Sequence, residues 1–430
     1  MRKMRSEQAP SLVTRQAIIV ALLFAGYAGY YFCRAVLSVT APLLIAELHA
    51  RGMSIGVATL EIGALATFGT LAYAFGKFFL SWLVDFYGGK RSLVAGMLGT
   101  VVFTALFAAG GGYSALMAAW IGNRLFQSLG WPALVKVTSK WFSFSSYGTV
   151  MGILSLSFLV GDAASRSSMG ALIGAGLGWR AIFLFAAGVL TIVCITNVAF
   201  LKESSAAAGF TAPEVNPQNV FGSSGSEEQP RSVRALLGPL CSSRAFAIVC
   251  VLSFGTTLLR EALGTWTPTF YTTIGLQPSQ AAAFSALSPL AGVASVLLTG
   301  WLSDRLGTSG RARIAFAGLA LAACSLAALA FATHAGPAIA VLLLVCVAFF
   351  NSGPYSYLAG AMALDFGGRT GSAASSGIID GVGYIGGAIA GLGVARVALS
   401  FGWSGAFGAL AALTAATALF AAALPRAQAT

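Results

Sequence analysis

Residues 27–42 read Tyr-Ala-Gly-Tyr-Tyr-Phe-Cys-Arg-Ala-Val-Leu-Ser-Val-Thr-Ala-Pro and carry one full charge, Arg34, late in a long apolar segment. An arginine at membrane depth costs about 2.5 to 3.5 kcal/mol on insertion scales, and more when nothing compensates its charge. The stretch therefore indicates a membrane helix whose arginine has a partner. We interpret that partner as the substrate.

The composition of the whole chain agrees with a membrane protein. Of its 430 residues, 57% are hydrophobic and only 9% are charged, whereas roughly a quarter of the residues in a soluble globular protein are charged. The apolar runs are continuous over about 20 residues and do not alternate, which favours helices over a β-barrel. We predict an all-α polytopic membrane protein.

Twelve apolar segments are each long enough to cross a hydrocarbon core of about 30 Å. They are 16–41, 56–83, 92–110, 114–138, 148–174, 180–201, 245–272, 280–303, 312–332, 336–363, 372–397 and 403–424. A polar stretch rich in Ser, Gly, Pro and Gln separates the sixth from the seventh. We predict two six-helix bundles, 1–201 and 245–430, joined by a cytoplasmic linker at 202–244.

Basic residues concentrate in the tail and in loops on one predicted side. They include Arg2, Lys3, Arg5, Arg15, Lys90, Arg91, Lys140, Arg305, Arg311, Arg313 and Arg369. By the positive-inside rule both termini are cytoplasmic, and we expect a multi-pass protein of the cell membrane, in a bacterium the inner membrane. The formal net charge of +12 then reflects topology, and we expect no nucleic-acid partner.

Cysteine and histidine usage gives little support to an enzyme or a metal protein. The six cysteines lie singly without C-x-x-C spacing, and the two histidines are far apart in sequence. We expect reduced packing cysteines, no metal site, no cofactor and no catalytic triad.

The two halves look like an internal repeat. Arg34 stands eight residues before Pro42, and Arg260 stands eight residues before Pro268. Ser-Trp-Leu-Val-Asp at 81–85 matches Gly-Trp-Leu-Ser-Asp at 300–304, and Gly-Trp recurs at 178–179 and 402–403. Internal repeats of this kind are typical of secondary transporters, whose substrate sites lie between the repeats.

The two aspartate loops have the form of the major facilitator signature. One contains Asp85, Lys90 and Arg91, and the other contains Asp304 and Arg305. A carboxylate there can cap a helix N-terminus and pair with arginine, which would latch one state of a gate. The alternative is ordinary topogenic charge in loops.

Arg34 and Arg260 occupy equivalent places in the first helix of each half, so we expect them to converge on a central site. Two guanidinium forks suit a dianionic phosphate, since each donates two hydrogen bonds and neither loses its proton. The alternative is that each arginine binds a nearby carbonyl or acid, and Glu261 beside Arg260 keeps that possibility open.

Three stretches resemble the organophosphate:phosphate antiporter family. They are Gly26 to Arg34, Gln127-Ser-Leu-Gly-Trp-Pro132, and Leu258-Leu-Arg260 with Trp266-Thr-Pro-Thr269. The resemblance covers nearly the whole chain apart from the tails and linker. It implies the major facilitator fold, phosphate exchange, Arg34 and Arg260 as the phosphate-binding pair, and a match to the family's helix-two lysine at Lys77.

The chain departs from the family's pattern at several positions. Ala35 follows the first arginine, where the family often has a basic residue. Phe158 stands in place of a histidine and Ser288 near the place of a glutamate of the glycerol-phosphate branch. These departures leave the organic part of the substrate open.

Further candidates lie at helical spacing. Tyr27, Tyr31, Arg34 and Ser38 share one stripe, with Tyr30 beside it. Arg124 shares a helix face with Gln127 and Trp131. Asp162 and Arg166 are spaced i, i+4 and can form an ion pair. Asp380 has no cation near it in sequence, and we expect it to meet Lys77, Arg260 or substrate hydroxyls.

We therefore predict a monomeric secondary transporter that exchanges an organophosphate for inorganic phosphate by alternating access. Two alternatives stay open. Arg124, Asp162 and Asp380 would suit a proton-coupled organic-anion symporter. The other alternative is a membrane sensor that binds sugar phosphate without net transport.

Overall fold

A computed structural model describes residues 12–80, 84, 87–142, 144–211, 242–333, 336–358 and 362–429; the side chains at 139, 144–149, 303–311, 357, 363–377 and 425–429 are outside this description. Within these ranges the secondary structure is helical and contains no strand. The all-α class predicted from composition is confirmed.

Apart from the long stretch between Phe200 and Arg244, the helices follow one another with short connections. They are α1 Leu12–Ala50, α2 Ile55–Phe79, α3 Gly89–Ala109, α4 Tyr113–Gln127, α5 Gly130–Ser139, α6 Phe144–Gly174, α7 Trp179–Phe200, α8 Arg244–Thr273, α9 Pro278–Ser285, α10 Leu287–Phe331, α11 Pro337–Tyr357 and α12 Ala363–Ala429. Serines cap two of them: Ser54 accepts the Val57 N–H at the start of α2, and Ser243 accepts the Phe246 N–H at the start of α8.

Nine segments among the described residues are long and apolar enough to cross a membrane. They are Leu12–Ala50, Ile55–Phe79, Gly89–Ala109, Trp179–Phe200, Arg244–Thr273, Pro278–Leu302, Ala312–Phe331, Pro337–Ser356 and Ile378–Leu424. The last has 47 residues, which is enough for two crossings. Exposed apolar side chains such as Ile192, Leu298 and Leu342 suit contact with lipid. The count of twelve crossings stays a prediction.

Several helices differ from the predicted segments. α1 continues through Pro42 to Ala50, α10 runs through 303–311, and α12 covers both of the last two segments. The chain has no proline between 290 and 336 or between 355 and 424, so no residue there lacks the N–H that helix continuation requires. Gly402 inside α12 has φ +70°, a conformation that interrupts a right-handed helix and falls at the predicted boundary.

The predicted linker begins as ordered structure. The indole of Trp141 donates to the carbonyl of Lys202 at 2.9 Å, and a 3₁₀ turn follows at Ala206–Ala208. Residues 212–241, most of the predicted linker, lie outside the described residues.

Helices from the two halves of the chain meet at the end of the molecule where α1 ends and α2 begins. We call this the outer end, since it is predicted to be extracytoplasmic. Ser38 on α1 donates to Gly264 O of α8 at 2.5 Å, and Thr67 on α2 donates to Ala388 O of α12 at 2.7 Å. A Cβ at Gly391 would lie only 2.5 Å from Gly63 O. The two halves are therefore closely packed on this side of Arg34.

Candidate functional site

The structure brings the two repeat-related arginines together in the middle of the molecule. Arg34 on α1 and Arg260 on α8 both direct Nη2 at the same atom, Oε1 of Glu261, at 3.0 and 2.7 Å. The side chains of Arg34, Arg260 and Glu261 are 12, 21 and 15% exposed. Two guanidinium groups from opposite halves of the chain thus converge on one anionic oxygen.

Glu261 has a larger part than the sequence indicated. It was the alternative partner for Arg260 alone, yet its carboxylate also binds Arg34 across the two halves. Adjacent residues on a helix do not face each other across a turn, so spacing gave no reason to expect that Glu261 would reach into the site. Only the packing of α1 against α8 brings it there.

Tyr73 is a site residue that sequence reasoning missed. Its ring lies 4.8 Å from the guanidinium carbon of Arg34 and 4.8 Å from that of Arg124. It also packs against the ring of Tyr384 at 5.0 Å between centroids. Tyr73 lies one helical turn before Lys77, so the stripe on α2 was the signal that could have identified it.

Lys77 and Asp380 form an ion pair between the two halves. Lys77 Nζ on α2 lies 2.5 Å from Asp380 Oδ2 on α12. The same ammonium group lies 5.4 Å from the ring of Tyr73 and 5.2 Å from that of Tyr384. The cation that Asp380 lacked locally in sequence is thus supplied by the other half of the chain.

The predicted tyrosines of α1 occupy two different surroundings. Tyr31 lies 5.3 Å from the guanidinium of Arg34 and lines the central cavity. Tyr27 packs against Trp131 at 5.2 Å, and the Tyr30 hydroxyl donates to Leu93 O at 3.0 Å. The geometry therefore brings Tyr31 to the arginines and places Tyr27 and Tyr30 in the aromatic packing behind it.

Two further intramembrane arginines have protein partners. Arg124 is 3% exposed and donates to the neutral amide of Gln127 at 3.0 Å. Arg166 pairs with Asp162 at 2.9 Å, as the spacing predicted, and also donates to Gly264 O at 3.0 Å. Arg166 thereby links α6 to α8. In these contacts the hydrogen-bond partner of Arg124 is a neutral group, not a carboxylate.

Two adjoining cavities lie between the helices, and both are bordered by Arg260, Tyr31 and Asp162. The first is also lined by Arg34, Arg124, Glu261, Thr70 and Ser38. The second is lined by Phe158, Ser288, Asn351, Ser352, Thr267 and Tyr355. The first is cationic and suits an anion, whereas the second combines apolar walls with hydroxyl and amide groups.

The structure describes only some of the residues in the two signature loops. The Lys90 amide donates to Glu203 at 2.7 Å and its ammonium to Val198 O at 2.8 Å, while Arg91 is exposed. Asp85 and the side chains of Asp304 and Arg305 lie outside the described residues. Within the described ranges no group of three His, Cys, Asp or Glu side chains could hold a metal ion.

Comparison with known proteins places the chain in a family. Residues 23–391 match the Major Facilitator Superfamily. The glycerol-3-phosphate transporter of Bacillus subtilis is 24% identical, with 90% of this chain and 86% of the relative covered. The membrane sensor protein UhpC of Escherichia coli is 26% identical, with 90 and 87% covered, and a probable hexose phosphate transport protein of Chlamydia pneumoniae is 26% identical, with 91 and 87% covered.

Solved structures support the same fold. A D-xylose–proton symporter superposes with a TM-score of 0.76 at 13% identity, over 96% of this chain and 97% of that one. At that identity the likeness concerns the fold alone. The resemblance to the organophosphate:phosphate antiporter family is confirmed by the relatives, and the chain belongs to the Major Facilitator Superfamily.

Proposed function

We propose that this protein carries an organophosphate across the membrane in exchange for inorganic phosphate. The observation that carries the proposal is the convergence of Arg34 and Arg260 on one carboxylate oxygen. A phosphate oxygen at that point would accept hydrogen bonds from both halves of the chain, and each planar guanidinium can bind a second oxygen of the same group.

The charge of the central cluster fits a dianion. The cations are Arg34, Lys77, Arg124, Arg166 and Arg260, and the carboxylates are Asp162, Glu261 and Asp380. In their ordinary ionised forms they leave an excess of two positive charges. A phosphate monoester carries about −1.5 to −2 near pH 7, so it would leave the buried cluster close to neutral.

The second cavity is the place for the organic part of the substrate. It adjoins the arginines and contains the two positions, Phe158 and Ser288, at which this chain departs from the glycerol-phosphate branch. The buried Asn351 Oδ1 and Ser288 Oγ have no hydrogen-bond partner among the described residues. A substrate with a hydroxyl donor would satisfy them.

Alternating access follows from the position of the arginines on opposite halves. A phosphate that binds both favours the arrangement in which the halves are close, and the release of phosphate at one side favours opening there. We place the protein in the bacterial inner membrane as a monomer with two six-helix bundles, the 202–244 linker and both termini in the cytoplasm. The three relatives are a glycerol-3-phosphate transporter, a membrane sensor and a probable hexose phosphate transport protein.

Counterflow in proteoliposomes tests the proposal against its alternatives. Vesicles loaded with inorganic phosphate should take up labelled glycerol 3-phosphate or glucose 6-phosphate without a proton gradient. Uptake that collapses with a protonophore would indicate proton coupling instead. Saturable binding without uptake would indicate a sensor.

The first variants test the arginine forks. Arg34→Lys and Arg260→Lys keep the charge but lose the planar pair of donors. Because one charged hydrogen bond is worth about 1.5 to 3 kcal/mol, we expect phosphate exchange to fall by about tenfold or more in each. Arg51→Lys is the matched control, since Arg51 is 53% exposed and pairs with Glu47 at the outer end. Near-normal exchange in either site variant would remove that arginine from the assignment.

A further inference from the structure

Glu261 occupies the point at which the two arginines meet. Its Oε1 accepts from Nη2 of Arg34 and from Nη2 of Arg260, so one carboxylate of the protein links both halves of the chain. The neighbouring helix leaves room for it, because a Cβ at Gly387 of α12 would lie 2.8 Å from Glu261 Cγ. The carboxylate is thus held in the position that a substrate oxygen would take.

This arrangement changes what opposes closure of the site. Two guanidinium groups brought together in a medium of low dielectric constant repel each other, and an exchanger can use that repulsion to keep an unloaded carrier from reorienting. Here Arg34 and Arg260 have a carboxylate between them. Their approach therefore does not depend on an anion from outside.

Resting on the function proposed above, we propose that Glu261 is an internal anion that stands in for phosphate and lets the unloaded carrier reorient. The protein then performs net transport of phosphate in addition to exchange. An outside phosphate and Glu261 alternate between the same two arginines, and the carrier can cross in either condition. This is a further activity of the site, carried by a residue of this chain.

The same geometry predicts competition. A phosphate that binds both Nη2 groups must displace Glu261 from at least one of them, because a single oxygen fills the point of convergence. Arg260 retains a donor for the incoming anion, since its Nε is buried and has no partner among the described residues. Removing the negative charge of Glu261 should therefore strengthen phosphate binding.

The test compares net flux with exchange in one preparation. Proteoliposomes containing the full-length chain are loaded with labelled inorganic phosphate and diluted into buffer with or without unlabelled phosphate, with valinomycin and potassium to balance charge. For the natural sequence we expect efflux without external phosphate to remain within about tenfold of efflux with it. In Glu261→Gln, which keeps a hydrogen-bond acceptor, we expect the ratio of net efflux to exchange to fall by about tenfold or more.

Glu61→Gln is the matched control. Glu61 lies on α2 and lines a separate cavity at the outer end, so the same acid-to-amide change there should leave the ratio of net efflux to exchange unaltered. Exchange without any net efflux in the natural sequence would overturn the inference while leaving the proposed function intact. An unchanged ratio in Glu261→Gln would also overturn it.

A measurement of phosphate binding tests the role of Glu261 even if the protein shows no phosphate exchange. No exchange with phosphate inside and outside would contradict the proposed function. Titration of inorganic phosphate into purified protein then still tests Glu261, because Glu261→Gln should bind about tenfold more tightly than the natural sequence, and Glu61→Gln should not. Equal or weaker binding by Glu261→Gln would overturn the role of an internal anion.

Discussion

Tyr73 determines how two buried arginines can lie close together. Its ring faces the guanidinium groups of Arg34 and Arg124 at 4.8 Å each. A cation over an aromatic face gains about 2 kcal/mol when both are desolvated. The ring therefore offsets part of the free-energy cost of burying two like charges. Among the contacts described above, Arg124 has no ion pair that would offset this cost.

We expect the ring, and not its hydroxyl, to matter. Tyr73→Leu should raise the phosphate concentration for half-maximal exchange by about tenfold, since cation–π contacts worth about 2 kcal/mol are lost. Tyr73→Phe should stay near normal, because phenylalanine also presents a π face. Phe68→Leu is the control, since Phe68 lies on the same helix and is 47% exposed. Equal damage from Tyr73→Phe and Tyr73→Leu would contradict the explanation.

The site residues that could be predicted from sequence are those that belong to the internal repeat or to a family motif. The equal spacing of Arg34 and Arg260 before proline predicted a pair, and the structure brings that pair together. Glu261 had no comparable signal, because an acid beside an arginine is common, and Tyr73 had only its place one helical turn before Lys77. Their contacts arise from packing between helices that are distant in sequence.

At the scale of the elements, α3 begins without a capping side chain of its own. Its N-cap is Gly88, with φ +88°. The Glu203 carboxylate supplies the missing acceptor: it takes the amides of Gly89 and Lys90 at 3.0 and 2.7 Å and pairs with Lys140 at 2.5 Å. A residue that follows α7 thus completes the start of α3, beside the first signature loop.

Glu203 should stabilise the protein in a way that depends on pH in a defined direction. Partial burial by itself raises the pKa of its carboxyl, but the hydrogen bonds from Lys140, Lys90 and Gly89 outweigh burial, so the pKa is lowered. The stabilisation is then complete above the ordinary glutamate pKa of about 4.3 and is lost only as the pH falls through the lowered value.

We expect Glu203→Gln to lose about 1 kcal/mol, the usual worth of an N-terminal cap. In thermal unfolding of the purified protein, the difference from the natural sequence should be the same at pH 7 and pH 5. A difference that shrinks between those two values would contradict the lowered pKa of Glu203.

Helix boundaries were less predictable than helix existence. The apolar runs located α2, α3, α7 and α11 closely, but composition could not show that α1 continues through Pro42. A proline removes one helix hydrogen bond, and within a bundle the neighbouring helices can compensate that loss. α10 and α12 continued past predicted loops because their sequences contain no residue that must end a helix.

At the scale of the whole molecule, α2 and α12 contact each other both at the outer end and further along the two helices. On the outer side α2 and α12 approach at Gly63 and Gly391, and further along the same two helices Lys77 pairs with Asp380. α2 and α12 therefore run antiparallel across the site. Transport by alternating access requires the outer contacts to separate in each cycle.

A disulfide across the outer seam tests this requirement. A Cβ built at Gly63 would lie 3.2 Å from Cβ of Ala395 and 3.0 Å from Gly391 O. The two helices must therefore move apart by a few tenths of an ångström to reach the roughly 3.5–4.5 Å Cβ separation of a disulfide. In the double variant Gly63→Cys and Ala395→Cys, oxidation should link α2 to α12, and phosphate exchange should fall by about tenfold or more because the outer end can no longer open.

Reduction should restore exchange in the double variant, and oxidation of either single variant should leave it unchanged. These controls separate the cross-link from oxidation of the native cysteines, of which Cys33 and Cys194 are buried. The cross-link would also hold Arg34 and Arg260 in the arrangement that Glu261 bridges, so binding of phosphate from the opposite side should persist. A cross-linked protein that still exchanges phosphate at the full rate would show that the two halves need not separate at this seam, and alternating access about the arginine pair would then be wrong.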